Sequence, residues 1–461
     1  MSWLLLFLPL ALLSEVPTAP CTWTHRTGAR IEAECGVVSA AVEPGGDATI
    51  SVGFARLPAT GRKVKADPIL LVAGGPGQAA TDAFVPALPL LSDWRRERDL
   101  ILVDMRGTGR SVPLACKDPR PLAEQIAGGD EAEAARLSAC AGSAALELRH
   151  ITSDAAARDL EAVRQALGIE KWNIVGVSYG TRLALVYDRL FPGRARALVL
   201  DGVAPVDHAI GSMFAADAHA ALNGLEARAP GTRAAYDAVR ARWQKSPTVH
   251  ARHPKTGAPL DVVVDDASLT GAVIGQLYSS DSVAVLPVLL RAAARGDDGP
   301  LLAVLLSQRL GQEDGLFPLV NAAVLCAEDI PFIPPAAERG PDTAPFLDGT
   351  AAQQALCARV PHATVPAAWK TATTTTTPSL LLSGELDPIT PPTRAVRLAE
   401  SLPDAVHVTV PGHGHNVLFS GCVPEVVHDF IEAGSSRGLD TKCTAKMSPF
   451  PIFVDEMGPA P

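Results

Sequence analysis

None of the eight cysteines stands in a C-x-x-C pair, which argues against structural zinc and thioredoxin-like redox chemistry. Beyond Leu13 no run is long and apolar enough for a membrane-spanning helix. Positive charge is not in excess either. The 461-residue chain has a formal net charge of −10, which argues against nucleic acid or anionic lipid as the main partner and fits a neutral or cationic one. What remains is a globular composition, 47% hydrophobic and 20% charged, with material for a large core.

The run Trp3 to Leu13 is too short to cross a bilayer, and polar, Pro-containing sequence follows it. Residues 1–20 therefore read as a secretory leader cut between Ser14 and Pro20, although no Lys or Arg precedes the run. Lipidation at Cys21 is disfavoured by Pro20 directly before it. A leader implies a secreted or periplasmic protein, in which disulfides are the default. Pairing neighbours in sequence closes loops of modest size, so the expected bridges are Cys21–Cys35, Cys116–Cys140, Cys326–Cys357 and Cys422–Cys443.

The stretch Gly176-Val177-Ser178-Tyr179-Gly180 organises the rest. Lys171 to Val175 reads as a buried strand running into it, and Thr181 to Tyr187 has helical spacing with no breaker before Pro192. Strand, sharp turn and helix make a nucleophile elbow, which exposes Ser178 at a strand end and sets the Tyr179 amide at a helix N-terminus. Upstream, Cys35–Val42 and Ala48–Arg56 predict an edge hairpin around Pro44-Gly45-Gly46, and Pro68–Ala73 a central parallel strand. That strand ends in Gly74-Gly75-Pro76-Gly77, a loop that can bring bare amides close to a ligand. Asp99–Val103 is a further strand; Asp104 and Arg106 beyond it are expected to form a buried ion pair. A helix over 154–167 and a strand over 197–202 complete the alternation of an α/β core.

From about Pro205 to Thr371 the spacing becomes mainly helical, with few strand-like runs, and a Thr-rich connector follows. The core resumes with a strand at Ser379–Ser383, a helix at Thr393–Leu402, a strand at Ala405–Val410 and a helix at Pro424–Glu432. The expected architecture is a mostly parallel sheet of about eight strands in two parts, 21–204 and 376–445, with a helical cap over 205–375 and a tail over 446–461.

A serine hydroxyl is a poor nucleophile near neutral pH and needs a base, an orienting carboxylate and oxyanion donors. Asp387 lies just past one late strand, and His413 and His415 lie just past the next. Glu385 is the alternative acid, set less well to turn toward the histidine. A metal site on the His413/His415 pair lacks a third ligand nearby, and no metal or other cofactor is expected.

In combination, Gly74 to Gly77, Asp104-Met105-Arg106-Gly107-Thr108-Gly109-Arg110-Ser111, Gly176 to Thr181, Gly384-Glu385-Leu386-Asp387-Pro388 and Gly412-His413-Gly414-His415 resemble the α/β-hydrolase peptidases of the prolyl aminopeptidase clan. The likeness is strongest to their secreted tripeptidyl-aminopeptidase-like branch, whose cysteine spacing this chain shares. The resemblance implies an α/β-hydrolase fold with Ser178 as nucleophile, His415 rather than His413 as base, and Asp387 as its orienter. It further implies an oxyanion hole from the amides of Gly75, or Gly74 in its place, and Tyr179. Glu328 and Asp329, in Cys326-Ala327-Glu328-Asp329, would bind the free α-amine of a peptide substrate. Prolyl iminopeptidases usually have His before the Gly-Gly-Pro-Gly loop; Ala73 stands here, which favours the tripeptidyl-like branch.

The implied activity is serine exopeptidase cleavage of short N-terminal units. A carboxylesterase or lipase would use the same triad without an amine anchor. Haloalkane dehalogenases and epoxide hydrolases carry Asp where this chain has Ser178, and a binding protein with a vestigial site has no support while all three triad members are present.

Overall fold

Short, wholly apolar strands need cover on both faces, and the chain supplies it with helices packed on either side of one large sheet. The computed structural model describes residues 18–24, 28, 30–211, 214–334 and 349–459. Most of the expected leader thus lies outside the described residues. The sheet strands are β1 (Ala19–Thr24), β2 (Arg30–Ala41), β3 (Thr49–Leu57), β4 (Ile69–Val72), β5 (Leu100–Val103), β6 (Trp172–Val177) and β7 (Ala195–Asp201). A cap hairpin, β8 (Thr248–Arg252) and β9 (Pro259–Val263), intervenes before β10 (Ser379–Gly384) and β11 (Ala405–Val410) return to the sheet.

The nine sheet strands run in the order β1-β2-β3-β5-β4-β6-β7-β10-β11, with β1, β2 and β3 antiparallel and the rest parallel. Leu70 of β4 stands level with Ile101 and Ile174 on its two neighbours, so the strand expected to be central is central. Alternation divides the apolar side chains between two layers. Leu70, Val72, Ile174, Leu198 and Leu200 meet Leu160, Val163, Leu183 and Tyr187 of the helices Ser153–Ala166 and Tyr179–Leu190. Ile69, Leu71, Val175, Val199 and Leu380 meet Phe84, Leu91, Trp94 and the Val426–Ile431 face of the helix Val423–Ala433.

Two expectations about the first half are corrected. The β2–β3 hairpin forms around Pro44-Gly45-Gly46, but β3 is not at the edge: it pairs with β2 on one side and β5 on the other. Gly53, on the face expected to be exposed, is buried, as are Ala55, Val52 and Phe54, while Thr49 and Ser51 are exposed. Strand β1 takes the edge and includes Ala19 and Pro20, which the sequence pattern placed in the leader. Secondly, Asp104 and Arg106 are both buried but do not pair. Arg106 makes a two-pronged bond to Asp159, at 2.8 and 2.7 Å, and donates to the carbonyls of Ala41, Val42 and His150. Asp104 accepts from Thr81 and from the Arg110 amide instead, which ties the loop after β5 to the loop after β4.

Between Phe214 and Cys357 the helices build a core of their own, with Leu222, Tyr236, Trp243, Leu269, Leu277, Leu290 and Leu306 at its centre. Leu386, from the loop after β10, inserts into it and joins the two layers of the molecule. Strands β8 and β9 are five residues each and exposed along most of their length, so they present no long apolar run, and that hairpin escaped the sequence reading.

All four disulfides join the cysteines expected from sequence proximity. The tail packs. Strand β12 (Phe453–Asp455) pairs with β13 (Gly458–Pro459), and Arg291 of the cap donates to the Phe453 and Val454 carbonyls. No helix among the described residues is long and apolar enough to cross a membrane.

Candidate active site

Ser178 sits at φ +57°, ψ −124° between β6 and the helix Tyr179–Leu190, a left-handed conformation rare for a residue with a side chain. Close backbone approach holds it there. A Cβ on Gly176 would lie 2.4 Å from the Gly180 carbonyl oxygen, and one on Gly180 would lie 2.3 Å from that of Val72. The spacing of glycines two before and two after the serine is therefore a packing requirement. The Ser178 amide donates to the Asp201 carbonyl at 2.7 Å, so the turn hangs on the end of β7. The Gly74 loop lies against it too, since a Cβ on Gly74 would fall 2.9 Å from the Ser178 Cβ.

The loops after β10 and β11 bring Asp387 and His415 together, with His415 Nδ1 2.7 Å from Asp387 Oδ2. Asp387 Oδ1 accepts the amides of Ile389 and Thr390, each at 2.8 Å. Thr390 Oγ1 donates to Asp387 Oδ2 at 2.7 Å and lies 3.0 Å from His415 Nδ1. Burial pushes the Asp387 carboxyl up, but the His415 charge and hydrogen bond and the two amides pull it below the usual carboxylate range. It is therefore ionised whenever the neighbouring groups are in their neutral-pH states. His415 Nε2 is buried and has no hydrogen-bond partner among the described residues. With Nδ1 bound to the carboxylate, Nε2 is the atom left to accept a proton.

Asp201 and Gly202 place the serine and histidine relative to each other. Asp201 holds the Ser178 amide through its carbonyl and the Val417 and Leu418 amides through its carboxylate, at 3.1 and 2.9 Å. Burial pushes the Asp201 carboxyl up to about 6. A Cβ on Gly202 would meet His415 Cε1 at 2.7 Å. The cap contributes Tyr278, at the end of the helix Asp266–Tyr278, whose ring centroid is 4.4 Å from that of His415. Its carbonyl accepts the His415 amide at 2.8 Å. Ser178 is only 8% exposed beneath this cover.

The remaining sequence candidates fall elsewhere. His413 Nδ1 lies 2.8 Å from the Pro411 carbonyl, and its ring packs on Phe450 of the tail. Glu385 pairs with Arg228 and accepts the Gly412 amide, bracing the loop that carries His415 without touching the imidazole. Among the described residues no cluster of three His, Cys, Asp or Glu could hold a metal.

Glu328 and Asp329, expected to meet a substrate amine, are instead wholly buried and bound to internal partners. Asp329 takes Arg182 of the elbow helix at 2.7 and 2.9 Å, Lys370 at 2.8 Å and the Ile210 amide at 2.8 Å. Glu328 accepts the Ser153 amide and hydroxyl, each at 2.6 Å, and Ser153 Oγ lies 2.8 Å from the Tyr179 hydroxyl. The acidic pair thus anchors the elbow helix, and through Tyr179 the residue beside the nucleophile, to the cap.

Burial pushes the Glu328 carboxyl up to about 7 from an ordinary 4.5, against the hydrogen bonds from Ser153. Between these two values the folded chain holds a proton that the unfolded chain has released, so stability falls as pH rises through the window. The loss is on the order of 3 kcal/mol. Glu328→Gln is expected to remove most of the fall in unfolding free energy between about pH 6 and 7, whereas below pH 6 the Asp201 and Asp217 carboxyls, which burial also raises to about 6, keep a slope of their own. Denaturant titrations of both proteins across that range check it; an unchanged slope would contradict it.

Comparison with known proteins agrees with this architecture. The family model described as the alpha/beta hydrolase fold matches residues 67–421. The chain is 28% identical to a tripeptidyl aminopeptidase of Streptomyces coelicolor over 77% of this chain and 71% of that protein. It is 31% identical to carboxylesterase B of Mycobacterium tuberculosis over 89% of this chain and 86% of that protein. The match to the putative hydrolase YuaR of Escherichia coli, 30% identical, spans about a third of each: 34% of this chain and 32% of that one.

Proposed function

Because the chain belongs to the α/β-hydrolase family, we propose that Ser178, His415 and Asp387 form a hydrolytic triad that cleaves short units from peptides with a free N-terminus. The observation that carries the reading is the 2.7 Å contact between Asp387 and His415, which leaves Nε2 free to take a proton, while the elbow holds Ser178 at positive φ and Asp201 ties both loops together. His415 Nε2 takes the Ser178 proton as Oγ attacks the scissile carbonyl, and Asp387 holds the imidazole in the tautomer that can accept it. The carbonyl oxygen turns toward the amides of Tyr179 and Gly75, with Gly74 as the alternative donor, at the head of the elbow helix. His415 then protonates the leaving amine, and water resolves the acyl-enzyme by the same route.

The peptide substrate draws its support from the tripeptidyl aminopeptidase match, which runs through most of the chain. Residues 205–375 act as the cap that limits access, and the four disulfides fit a secreted or periplasmic setting. Since Glu328 and Asp329 are engaged internally, the reading assigns them to support of the elbow helix. The second reading, a carboxylesterase, rests on the match to carboxylesterase B over a still larger share of the chain.

Aminoacyl and tripeptidyl nitroanilides, their N-acetylated counterparts and short p-nitrophenyl esters separate the two. The expected result is amide cleavage at least tenfold faster with the free amine than with the acetylated one. Ester turnover without amide cleavage would move the protein to the esterases.

A further inference from the structure

The two amides assigned to the oxyanion hole come from different loops, one after β4 and one at the elbow. They hold a developing charge only if their separation is fixed. The elbow is fixed by its own packing. The other loop, Gly74-Gly75-Pro76-Gly77, offers one proline ring to pack, and Gly75 and Gly77 take φ of +105° and +100°. Its support comes from the segment Leu316–Asn321. The Phe317 amide donates to the Gly77 carbonyl at 2.8 Å, and Asn321 Nδ2 donates to the Pro76 carbonyl at 3.0 Å. The fit is close: a Cβ on Gly77 would lie 2.8 Å from the Phe317 carbonyl oxygen, and one on Gly75 would lie 3.1 Å from Leu316 Cδ1.

The helix that begins here, Pro318–Glu328, reaches the second donor with its other end. Its 11 residues span about 16 Å. Glu328 accepts the Ser153 amide and hydroxyl, and Ser153 Oγ lies 2.8 Å from the Tyr179 hydroxyl, so the chain of bonds ends on the donor residue itself. Asp329 binds Arg182, three residues along the elbow helix. Val320 fills the space over Gly107, where a Cβ would meet its Cγ2 at 2.5 Å. Leu319, Ala323 and Val324 join the apolar layer of Leu160, Leu183 and Leu200. The helix is thus seated on the sheet layer, although the chain supplies it from within the cap.

We propose that the helix Pro318–Glu328 is a strut that sets the two oxyanion donors at a fixed separation, with Asn321 as the positioning residue at its Gly75 end. The proposal rests on the triad reading and on these amides as donors; it holds equally for Gly74, which lies in the same loop. As Ser178 Oγ bonds to the scissile carbon, the carbonyl π pair moves to oxygen, and that charge grows between the two N–H groups. Asn321 touches neither substrate nor Oγ. It acts through the Pro76 carbonyl, which keeps the glycine loop aimed at the oxyanion. Its contribution therefore belongs to the transition state and not to substrate binding.

Asn321→Leu keeps the bulk and deletes the donor. The expected result is a fall in kcat of about tenfold, less than the roughly 10²–10³-fold for losing an oxyanion donor outright, with KM within about twofold. A substrate-derived aldehyde, whose hemiacetal with Ser178 places an oxygen between the same amides, is expected to bind about tenfold more weakly. The matching alcohol, which forms no hemiacetal, binds within twofold. A purely structural asparagine would lower the thermal midpoint without changing the ratio of aldehyde to alcohol affinity. Asn321→Ala, which removes atoms and adds none, carries the same test where the leucine disturbs the fold. A folded variant with kcat and aldehyde affinity within twofold of the unaltered chain, or with aldehyde and alcohol weakened alike, would overturn the strut while leaving the triad intact. Full activity in Ser178→Ala would overturn the triad reading itself.

Discussion

Ser178→Ala is expected to lower kcat by about 10⁶-fold, the scale of losing a serine nucleophile whose base and orienter act only through it. Nothing else in the site can take over. Thr181, Ser153 and Thr390, other buried hydroxyls nearby, are bonded to the Ser178 carbonyl, to Glu328 and to Asp387 respectively. The residual rate is expected to exceed that in water by roughly 10³–10⁴-fold, because the amides of Tyr179 and Gly75 still polarise a bound carbonyl. KM should change little, since Oγ makes its decisive bond only in the transition state. Stability should change little too. Alanine retains the Cβ that strains the backbone at φ +57°, so no strain is released. Steady-state kinetics with thermal unfolding of the same preparation reads both. Activity within tenfold of the unaltered chain would end the acyl-enzyme reading.

Asp387→Asn is expected to cost about 10⁴-fold in kcat, the effect of a wrong imidazole tautomer. The local hydrogen bonds dictate how the amide must sit. Oδ1 accepts from the backbone amides of Ile389 and Thr390, so the asparagine oxygen has to occupy that position. Its NH₂ then faces His415 Nδ1, which must accept rather than donate and so carries its proton on Nε2. An Nε2 that bears a proton cannot take one from Ser178. Thr390, whose hydroxyl now reaches Asp387 Oδ2, is also left facing a donor. The comparison with Asp387→Glu controls for charge. Measured kcat for Asp387→Asn within tenfold of the unaltered chain would show that another group orients the imidazole.

Much of this was readable before any coordinates. Continuous apolar runs such as Ile69–Val72 and Leu380–Leu382 allow only doubly covered strands, and glycines around Ser178 mark a turn where a Cβ has no room. The order of Ser178, Asp387 and His415, each after a strand, brought the site together because parallel strands deliver their ends to one edge of a sheet. Where the reading failed, the deciding contacts were long-range. Arg106 chose Asp159 over Asp104, 53 residues away in sequence, and no local pattern distinguishes the two carboxylates. Strand β3 alternates like an edge strand, and only its pairing with β5 buries the small residues of its second face. Glu328 and Asp329 look like a solvated or ligand-binding pair in sequence; their burial follows from helix packing around Arg182 and Ser153. Tyr278 and Thr390 carry no motif, since a tyrosine ending a cap helix and a threonine after a proline are ordinary in sequence. Their contacts with His415 exist only in the folded chain, Tyr278 from the cap and Thr390 from the loop after β10.

The central claim is that one serine, at the elbow, forms the covalent intermediate. Labelling the folded chain with a fluorophosphonate, digesting it and locating the adduct by mass spectrometry tests this directly. One adduct per chain, on the peptide containing Ser178 and absent from Ser178→Ala and from the heat-unfolded protein, is the predicted result. An adduct on another residue, or none from a preparation that hydrolyses its substrate, would contradict it.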